Sequence, residues 1–277
     1  MRIAISADST CDMPEHLVQK YDFRLNAMPF SLGEKLCHDG IDGTGKDVFE
    51  YVEKTGKLPT TSAYNAFEYK EHFEKILKDY DAVIHFSFST EISSTGNNAR
   101  MAAEEMENVY VIDSRSASAG FAILVLECYD RIQAGLEVTQ IVEEMRAMVE
   151  KAKLAFVIDT LKFMHKGGRC SGVAHFAAAA LGIKPRISIV DGKMVVTKKY
   201  RGKIEVVAKT MVDEVLAECP ANKKRAFVIQ SSPLDVVEEI VEKLKAYGIE
   251  EVHVTNAGPS ICIHCGPGTV GIAYLAE

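Results

Sequence analysis

The sequence lacks any long apolar run. No stretch of its 277 residues approaches the roughly 20 apolar residues that a membrane-spanning helix needs. Behind Arg2 the short β-like run IAIS leads directly into polar residues, so we expect no export signal and no stable membrane insertion. The seven cysteines are scattered, and without export we expect them to be reduced thiols in a cytoplasmic protein.

The sequence also lacks an excess of positive charge. Its formal net charge is −7, which argues against broad binding to nucleic acid or to anionic membranes, and we expect no nucleic-acid partner. Its composition, 47% hydrophobic and 26% charged, is that of an ordinary globular protein. The length suits one large domain or two modest ones.

The first half of the chain alternates short β-rich runs with longer helical ones. This alternation predicts an α/β fold with a parallel sheet flanked by helices on both faces. The segment SASAGFAILVLECYDRIQAG is apolar almost all round, which is typical of a buried helix. The predicted strands span residues 2–8, 82–88, 109–114 and 154–159, and the predicted helices lie near 14–20, 46–55, 65–79, 96–106, 117–134 and 138–151.

The pattern changes after about residue 157. A helix is predicted from Gly168 to Gly182, with the second glycine as its C-terminal stop, and a β-hairpin turns at Asp191-Gly192. Further predicted elements are helices at 203–218 and 233–247 and strands at 225–232, 251–258 and 268–277. We therefore predict an N-terminal α/β domain over residues 1–156 and a C-terminal mixed-sheet α/β domain over residues 157–277.

The last 18 residues, SICIHCGPGTVGIAYLAE, contain two overlapping motifs. A dinucleotide-binding G-x-G-x-x-G opens a helix, but only six residues follow Gly271, too few to complete a βαβ unit. If ICIHC is an extended strand, Cys262 and Cys265 point to opposite faces and cannot share a metal, and no second C-x-x-C completes a zinc site. We therefore expect no metal and no cofactor, and interpret the cysteines as small buried residues.

His264 stands between these motifs, and two hydroxyl clusters elsewhere are its candidate partners. One is Thr60, Thr61 and Ser62, before a predicted helix. The other is Ser93, Ser94 and Thr95, between a predicted strand and a helix. Helix N-termini expose unpaired N–H groups that favour an anion. Serine and threonine are equally the ordinary N-cap residues, so the pattern alone leaves both interpretations open.

Seven segments together resemble the DegV family, in order and over essentially the whole chain. They are DSTCDMP, PTTSAYN, STEISSTGNNA, DSRSASAGFA, LKFMHKGGRCS, GIKPRISIVDGKM and HCGPGTVG. The resemblance implies a two-domain α/β protein that holds one long-chain fatty acid between its domains. The acyl chain would occupy an apolar tunnel, and the carboxylate would be hydrogen-bonded in a polar pocket.

The resemblance also implies a partner and a role. DegV-like subunits of the bacterial fatty acid kinase system present the bound acid to a separate ATP-dependent kinase subunit of the dihydroxyacetone-kinase-like type, which forms acyl phosphate for phospholipid synthesis. The chain itself would be a lipid-binding subunit and not an enzyme. Matched motif by motif, the ligand-binding residues would be Thr61, Ser62, Ser93, Ser94, His264 and Arg169, with Arg201 as a kinase contact.

The chain departs from the family's pattern around the expected pocket. Ala63-Tyr64-Asn65 replaces Gln-Pro-Ser, Glu91 replaces a glycine and would disfavour an anion if it pointed inward, and Arg186 replaces an apolar residue. These changes leave the acyl specificity open. The candidate apolar lining residues are Phe30, Phe86, Phe88, Phe121, Ile123, Leu126, Phe163, Phe176, Leu181 and Ile261.

Two other functions use the same residues. Ser93 with His264 as base would serve an acyl hydrolase or transferase, although the chain has no G-x-S-x-G motif. The same hydroxyls and helix ends would also suit a sensor of another small carboxylate, a sugar or a phosphate, which would need a short, wet pocket in place of a tunnel.

Overall fold

The computed structural model describes residues 1–168 and 182–277. In chain order the strands are β1 (Ile3–Asp8), β2 (Arg24–Asn26), β3 (Pro29–Leu32), β4 (Lys35–His38), β5 (Thr60–Thr61), β6 (Ala82–Ser87), β7 (Val109–Asp113), β8 (Ala152–Val157), β9 (Ile183–Val190), β10 (Lys193–Arg201), β11 (Ala221–Gln230), β12 (Glu251–Asn256) and β13 (Val270–Ala276). The helices are α1 (Glu15–Tyr21), α2 (Gly45–Thr55), α3 (Ala66–Ile76), α4 (Thr95–Glu104), α5 (Ala119–Gln133), α6 (Val138–Met148), α7 (Lys162–Lys166), α8 (Ile204–Glu218), α9 (Val236–Tyr247) and α10 (Pro259–Cys265).

The strands form three sheets. A parallel sheet has the order β2-β1-β6-β7, and a small antiparallel sheet has the order β4-β3-β5. A mixed six-stranded sheet has the order β10-β9-β8-β13-β11-β12, in which only the β11–β12 pair is parallel. The predicted α/β class, with one parallel and one mixed sheet, is confirmed.

Helix α5 lies between the two large sheets. It contacts β1 and β6 of the parallel sheet and β8, β11 and β13 of the mixed sheet, and its residues from Ala119 to Cys128 are all buried. The apolar character all round this helix is therefore explained by sheets on two of its sides. One continuous core joins both sheets through α5, while α3 and α4 cover the outer face of the parallel sheet and α8 and α9 that of the mixed sheet.

A buried ion-pair network holds α5 to β11. Arg225 Nη1 lies 2.9 Å from Glu127 Oε1 and 2.7 Å from Asp130 Oδ2, and Lys224 Nζ lies 2.7 Å from the same Asp130 atom. Arg225 and Glu127 are each about nineteen-twentieths buried. A buried charge left without its partner is costly, so the network resists separation of α5 from the mixed sheet.

The hairpin predicted at Asp191-Gly192 is confirmed by β9 and β10. Both turn residues have positive φ, +50° and +81°, as the two-residue turn that matches strand twist requires. Because few residue pairs adopt such angles readily, Asp-Gly predicts this type of turn from the local sequence alone.

The sheet assignment of residues 154–159 was wrong. This segment, β8, pairs antiparallel with β9 and β13 and so belongs to the mixed sheet, not to the parallel one. The division into residues 1–156 and 157–277 stays a prediction, although β8, at the end of the first range, hydrogen-bonds into the sheet of the second. The helix predicted from Gly168 to Gly182 falls mainly outside the described residues.

Candidate functional site

A cavity of about 540 Å³ opens between the two large sheets. Three of its walls are loops that leave the carboxyl ends of β1, β6 and β7, the edge at which open parallel sheets commonly bind ligands. The fourth wall is the face of the mixed sheet, with α10 at one side. The lining residues of this wall include Leu154, Phe156, Ile229, Ile261, His264 and Gly271.

His264 is held on a helix and not, as predicted, on a strand. Residues Pro259–Cys265 form α10, which begins with proline in its first turn and ends at Gly266, whose φ is +74°. Both are ordinary helix boundary signals. In a helix, residues three apart share a face, so the expectation that Cys262 and Cys265 point to opposite faces was also wrong.

The imidazole of His264 meets the hydroxyl of Thr61. Nε2 of His264 lies 3.2 Å from Oγ1 of Thr61, which is held in β5 by its pairing with Phe30 of β3. On the other side of the ring, a Cβ built on Gly167 would lie 2.5 Å from Nδ1, so only glycine lets the end of α7 come this close. The ring is thus fixed between β5 and α7.

The segment from Phe88 to Thr95, which we call the Ser93 loop, is hydrogen-bonded at both ends to one buried pair, Asp8 and Tyr69. At its start, Phe88 N donates to Asp8 Oδ2 at 2.9 Å, and at its end Thr95 Oγ1 lies 2.6 Å from the hydroxyl of Tyr69. The Tyr69 hydroxyl also donates to Asp8 Oδ1 at 2.6 Å. Burial, and then the neighbouring Asp8, raise the pKa of Tyr69 well above its usual value, so it remains a donor.

Neither predicted hydroxyl cluster caps its helix through the expected side chain. Helix α3 is capped by Asn65, whose side chain forms a reciprocal capping box with Glu68, and Ser94 precedes α4 without a side-chain cap bond. Ser93 Oγ instead accepts from Thr95 N at 3.3 Å. The hydroxyls of Thr61, Ser62, Ser93 and Ser94 all line the cavity, so the structure brings them to one site with His264.

Three further predicted residues have different surroundings. Arg169 lies outside the described residues. Arg201 ends β10, an exposed edge strand, and does not line the cavity. Arg186 is buried away from the cavity, where its guanidinium forms a two-pronged contact with Glu218 at 3.0 and 2.8 Å.

Glu91 does line the cavity, but its charge is paired. Its carboxylate lies 3.3 Å from Nζ of Lys193, in the β9–β10 hairpin, and the tip of that hairpin also accepts a hydrogen bond from Ser89 at Gly192 O, 2.7 Å long. The hairpin of the mixed sheet therefore closes against the Ser93 loop, and Lys193 offsets the negative charge that replaced glycine.

The apolar lining was only partly predicted. Phe88 and Ile261 line the cavity, whereas Phe30, Phe86, Phe121, Ile123 and Leu126 belong to the core, and Phe163 packs beside Gly266. Phe176 and Leu181 lie outside the described residues. Methionine, an adaptable side chain that periodicity does not single out, provides much of the missed lining. The missed apolar lining residues are Met28, Ala63, Ile92, Ala117, Leu154, Phe156, Met164, Met194, Ile229, Ala257 and Cys265.

The closing motifs have structural explanations. Gly271 lies in β13, and no helix follows G-x-G-x-x-G as a dinucleotide site requires. A Cβ on Gly266 would lie 2.7 Å from the ring of Phe163. Hydrogen bonding to Cys265 and burial raise the pKa of the Cys262 thiol well above its ordinary value. In residues 1–168 and 182–277, no group of three or more His, Cys, Asp or Glu side chains is arranged to hold a metal.

Sequence reasoning missed two buried carboxyls, Asp12 and Asp39, beside the first turn of α10. Asp12 has φ +52° and accepts a hydrogen bond from Gly258 N at 2.8 Å, while Thr255 and Ser118 donate to its carbonyl and its carboxyl. Burial raises the pKa of Asp39 to about 6, and burial with the charge of Asp39 raises that of Asp12. Asp12 thereby links the end of β1 to the helix that carries His264.

The site can hold a molecule that is partly polar and partly apolar. Hydroxyl and imidazole groups from β5, the Ser93 loop and α10 line the cavity together with apolar side chains, and Thr61 and His264 meet there. Hydroxyls and an imidazole N–H donate to a carboxylate. No described helix combines the length and apolarity needed to cross a lipid bilayer.

Comparisons with known proteins agree with this architecture. A DegV domain-containing protein of Clostridium perfringens is 28% identical over 278 residues, covering all of this chain and 99% of that protein. The structure of a fatty-acid-binding DegV family protein from Thermus thermophilus is 26% identical to this chain, with all of both chains covered, and superposes with a TM-score of 0.92. DegV of Bacillus subtilis, described as a fatty acid binding protein, is 26% identical over all of both chains, with a TM-score of 0.86.

The sequence profile of the DegV family, described as a family of uncharacterised proteins, matches residues 2–277. The profile match therefore spans both sheets, α10 and the loops around the cavity. The chain belongs to the DegV family.

Proposed function

We propose that this protein binds one long-chain fatty acid in the cavity between its sheets. The carboxylate is held by Thr61, Ser93 and His264, with Ser62 and Ser94 beside them, and the acyl chain lies along the apolar walls. The observation that carries this proposal is the meeting of the Thr61 hydroxyl and the His264 imidazole, 3.2 Å apart, in a cavity otherwise rich in apolar side chains.

The apolar walls and the polar donors contribute differently to binding of the ligand. Each buried methylene contributes about 0.8 kcal/mol, so an acyl chain of about sixteen carbons draws most of its affinity from the apolar walls. The hydroxyl and imidazole donors fix the orientation of the chain, because only the carboxylate end accepts their hydrogen bonds. The related structures from Thermus thermophilus and Bacillus subtilis, whose descriptions name fatty acid binding, support the same ligand class.

We propose a binding role and not hydrolysis. A serine hydrolase needs its histidine hydrogen-bonded to the nucleophile, with an acidic residue to orient it. Here the described contact of His264 Nε2 is with Thr61, and Ser93 Oγ accepts from Thr95 N. The site also has no strained nucleophile turn of the G-x-S-x-G type.

The polar end of the cavity is accessible from outside. Ser62, Ser94 and Asn97 are exposed and still line the cavity, so a bound carboxylate would lie near the surface. We propose that a separate ATP-dependent kinase subunit approaches there and phosphorylates the carboxylate, with Arg169 as a ligand-binding residue and exposed Arg201 as a kinase contact. This would place the protein in the cytoplasm, serving phospholipid synthesis as the resemblance implies.

The ligand is tested by mass spectrometry of the organic extract of freshly purified protein. A long-chain fatty acid at nearly one molecule per chain is expected. A phosphorylated or short polar molecule at that stoichiometry would contradict the proposal. The partner is tested separately with a purified fatty acid kinase subunit: Arg201→Ala should slow acyl-phosphate formation without weakening fatty-acid binding, while Arg146→Ala, an exposed arginine on α6, should change neither.

A further inference from the structure

A second polar patch lines the cavity beside the first turn of α10. It consists of the hydroxyls of Thr10, Ser118 and Ser260, which come from three separate elements. All three residues are more than nine-tenths buried, with 7%, 5% and 6% of their surfaces exposed. We call these three the hydroxyl patch. A methylene chain cannot form hydrogen bonds with these hydroxyls.

One of these hydroxyls is oriented by a buried carboxyl, because Ser118 Oγ donates to Asp12 Oδ2. Within the described chain, the buried Oγ of Ser260 has no hydrogen-bond partner. A Cβ on Gly258 would touch both carboxyls, which places Asp12 and Asp39 side by side. Because the proton of Ser118 points to a carboxyl, the lone pairs of its oxygen remain as acceptors for a ligand, while the hydroxyl of Ser260 can still donate or accept.

Thr10 completes the patch. It lies in the 3-10 turn Ser9–Cys11, directly before Asp12. Within the described chain its buried Oγ1 has no hydrogen-bond partner. A buried hydroxyl without a partner is unfavourable, so a ligand group that both donates and accepts would be bound more tightly than a methylene.

The backbone conformation of Ser118 is unusual and supports a role for its side chain in ligand binding. Its φ of +49° and ψ of −146° are an uncommon combination for a residue with a Cβ. Such strain concentrates at ligand sites. Here it aims the Ser118 hydroxyl at Asp12 on the cavity wall.

The hydroxyl patch is close to the carboxylate pocket. Ser260 and His264 are four residues apart on α10, which puts them on one side of the helix at a rise of about 6 Å. A ligand group held by the patch must therefore lie within a few bonds of the carboxylate.

Charge decides which group that is. Asp39, whose pKa is about 6, is ionised at neutral pH, so the patch repels a second carboxylate or a phosphate. A neutral hydroxyl is not repelled: it donates its one proton to the Ser118 oxygen and accepts from Thr10 and Ser260.

Resting on the proposed fatty-acid function, we propose that the cavity is built for a long-chain 3-hydroxy acid, whose hydroxyl is held by Thr10, Ser118 and Ser260. The carboxylate occupies the Thr61–His264 pocket one helical turn away. The acyl chain beyond the hydroxyl follows the methionine-rich apolar wall. The patch thus serves as a specificity determinant between plain and 3-hydroxylated acids.

The test compares four acids of equal length on delipidated protein by calorimetry: hexadecanoic acid, the two enantiomers of 3-hydroxyhexadecanoic acid, and 16-hydroxyhexadecanoic acid. One 3-hydroxy enantiomer should bind about tenfold more tightly than hexadecanoic acid, the gain of one well-made hydrogen bond set. The 16-hydroxy acid, whose hydroxyl cannot reach the patch, should show no such gain.

Thr10→Val keeps the shape of the side chain and removes its hydroxyl. It should abolish the preference for the 3-hydroxy acid, measured as the ratio of its affinity to that of hexadecanoic acid, and Ser260→Ala is the second variant if Thr10→Val does not fold. Equal binding of the plain and 3-hydroxy acids by wild type, or a preference that survives both substitutions, overturns the inference. If hexadecanoic acid itself does not bind, the proposed fatty-acid function fails first.

Discussion

Nε2 of His264 lies 3.2 Å from Oγ1 of Thr61, although 203 residues separate the two in sequence. The contact joins β5, in the small sheet, to α10, which leads into the last strand of the mixed sheet. A ligand held by both side chains is therefore held by both halves of the chain. Binding at this point should stabilise the closed arrangement of the two sheets.

The first prediction concerns this pair. His264→Ala and Thr61→Val should each weaken binding of hexadecanoic acid roughly tenfold, because each removes one hydrogen-bonding group from the carboxylate pocket. Affinity is measured by displacement of a fluorescent fatty acid. The thermal midpoint of the ligand-free protein should change little, since both side chains are only partly buried.

The double variant separates cooperation from simple addition. If the two groups share one carboxylate, the losses in His264→Ala with Thr61→Val should be less than additive. Cys262→Ala, on the same helix but buried away from the pocket, is the control and should bind with wild-type affinity. Wild-type affinity in both single variants would show that the carboxylate of the fatty acid does not bind to Thr61 and His264.

The second prediction concerns Gly167. Its φ of −77° is open to any residue, so Gly167→Ala carries no backbone penalty, but the added methyl would lie 2.5 Å from Nδ1 of His264. The imidazole must move, and fatty-acid affinity should fall several-fold. In the His264→Ala background the same substitution should have almost no effect on affinity, and an equal loss in both backgrounds would show that Gly167 acts through something other than the ring.

Most helices and strands that are marked by turn residues or by a hydrophobic pattern were predicted from the sequence. Features that lack such a local pattern were missed. The Asp191-Gly192 hairpin, the buried α5 and the parallel strands β1, β6 and β7 follow from turn chemistry and hydrophobic pattern. The pairing of β8 depends on strands more than a hundred residues away, which no local pattern encodes. The short strands β2 to β5 have too few residues for any periodicity to show.

The residues of the candidate site also differ in how far the sequence predicted them. Pro259 and Gly266 mark the ends of α10, but the β-branched and cysteine residues between them resemble a strand, and that resemblance misplaced His264. The two hydroxyl clusters were singled out by their positions before predicted helices, and the family resemblance then selected Thr61 and Ser93 within them. Asp12 lies in the family segment DSTCDMP but was not singled out within it, and Asp39 gave no signal, because the role of both arises only when β1, the β4 turn and α10 meet.

The third prediction concerns Tyr69, which ties down the Ser93 loop. Tyr69→Phe removes the hydroxyl that bonds Asp8 and Thr95 and leaves a buried carboxylate oxygen with one donor fewer. The free energy of unfolding should fall by about 1–3 kcal/mol in urea denaturation. Fatty-acid affinity should fall as well, since the loop that carries Ser93 loses its anchor.

A matched control is Tyr129→Phe, whose ring packs on Tyr21 with centroids 4.4 Å apart. Its packing survives the substitution, so its unfolding free energy and its affinity should stay near wild type. Equal effects of the two substitutions would assign no special role to the Tyr69 hydroxyl.

The last prediction is a pH dependence that originates at Asp39. Burial raises the pKa of Asp39 from 3.8 to about 6 in the folded protein. Between those values the folded state binds more protons than the unfolded state, so this residue lowers the free energy of unfolding as pH rises from about 4 to about 6. A shift of about two units corresponds to roughly 3 kcal/mol.

His72 acts in the opposite direction, so the wild-type curve alone does not isolate Asp39. Burial lowers the pKa of His72 from 6.5 to about 4, and this residue makes the protein more stable as pH rises through the same range. The measurement is therefore the difference between Asp39→Asn and wild type in urea at pH 4, 5, 6 and 7. Asp39→Asn should gain stability relative to wild type as pH rises, whereas His72→Gln should lose it. A difference between Asp39→Asn and wild type that stays constant with pH would mean that Asp39 titrates alike in the folded and unfolded chains.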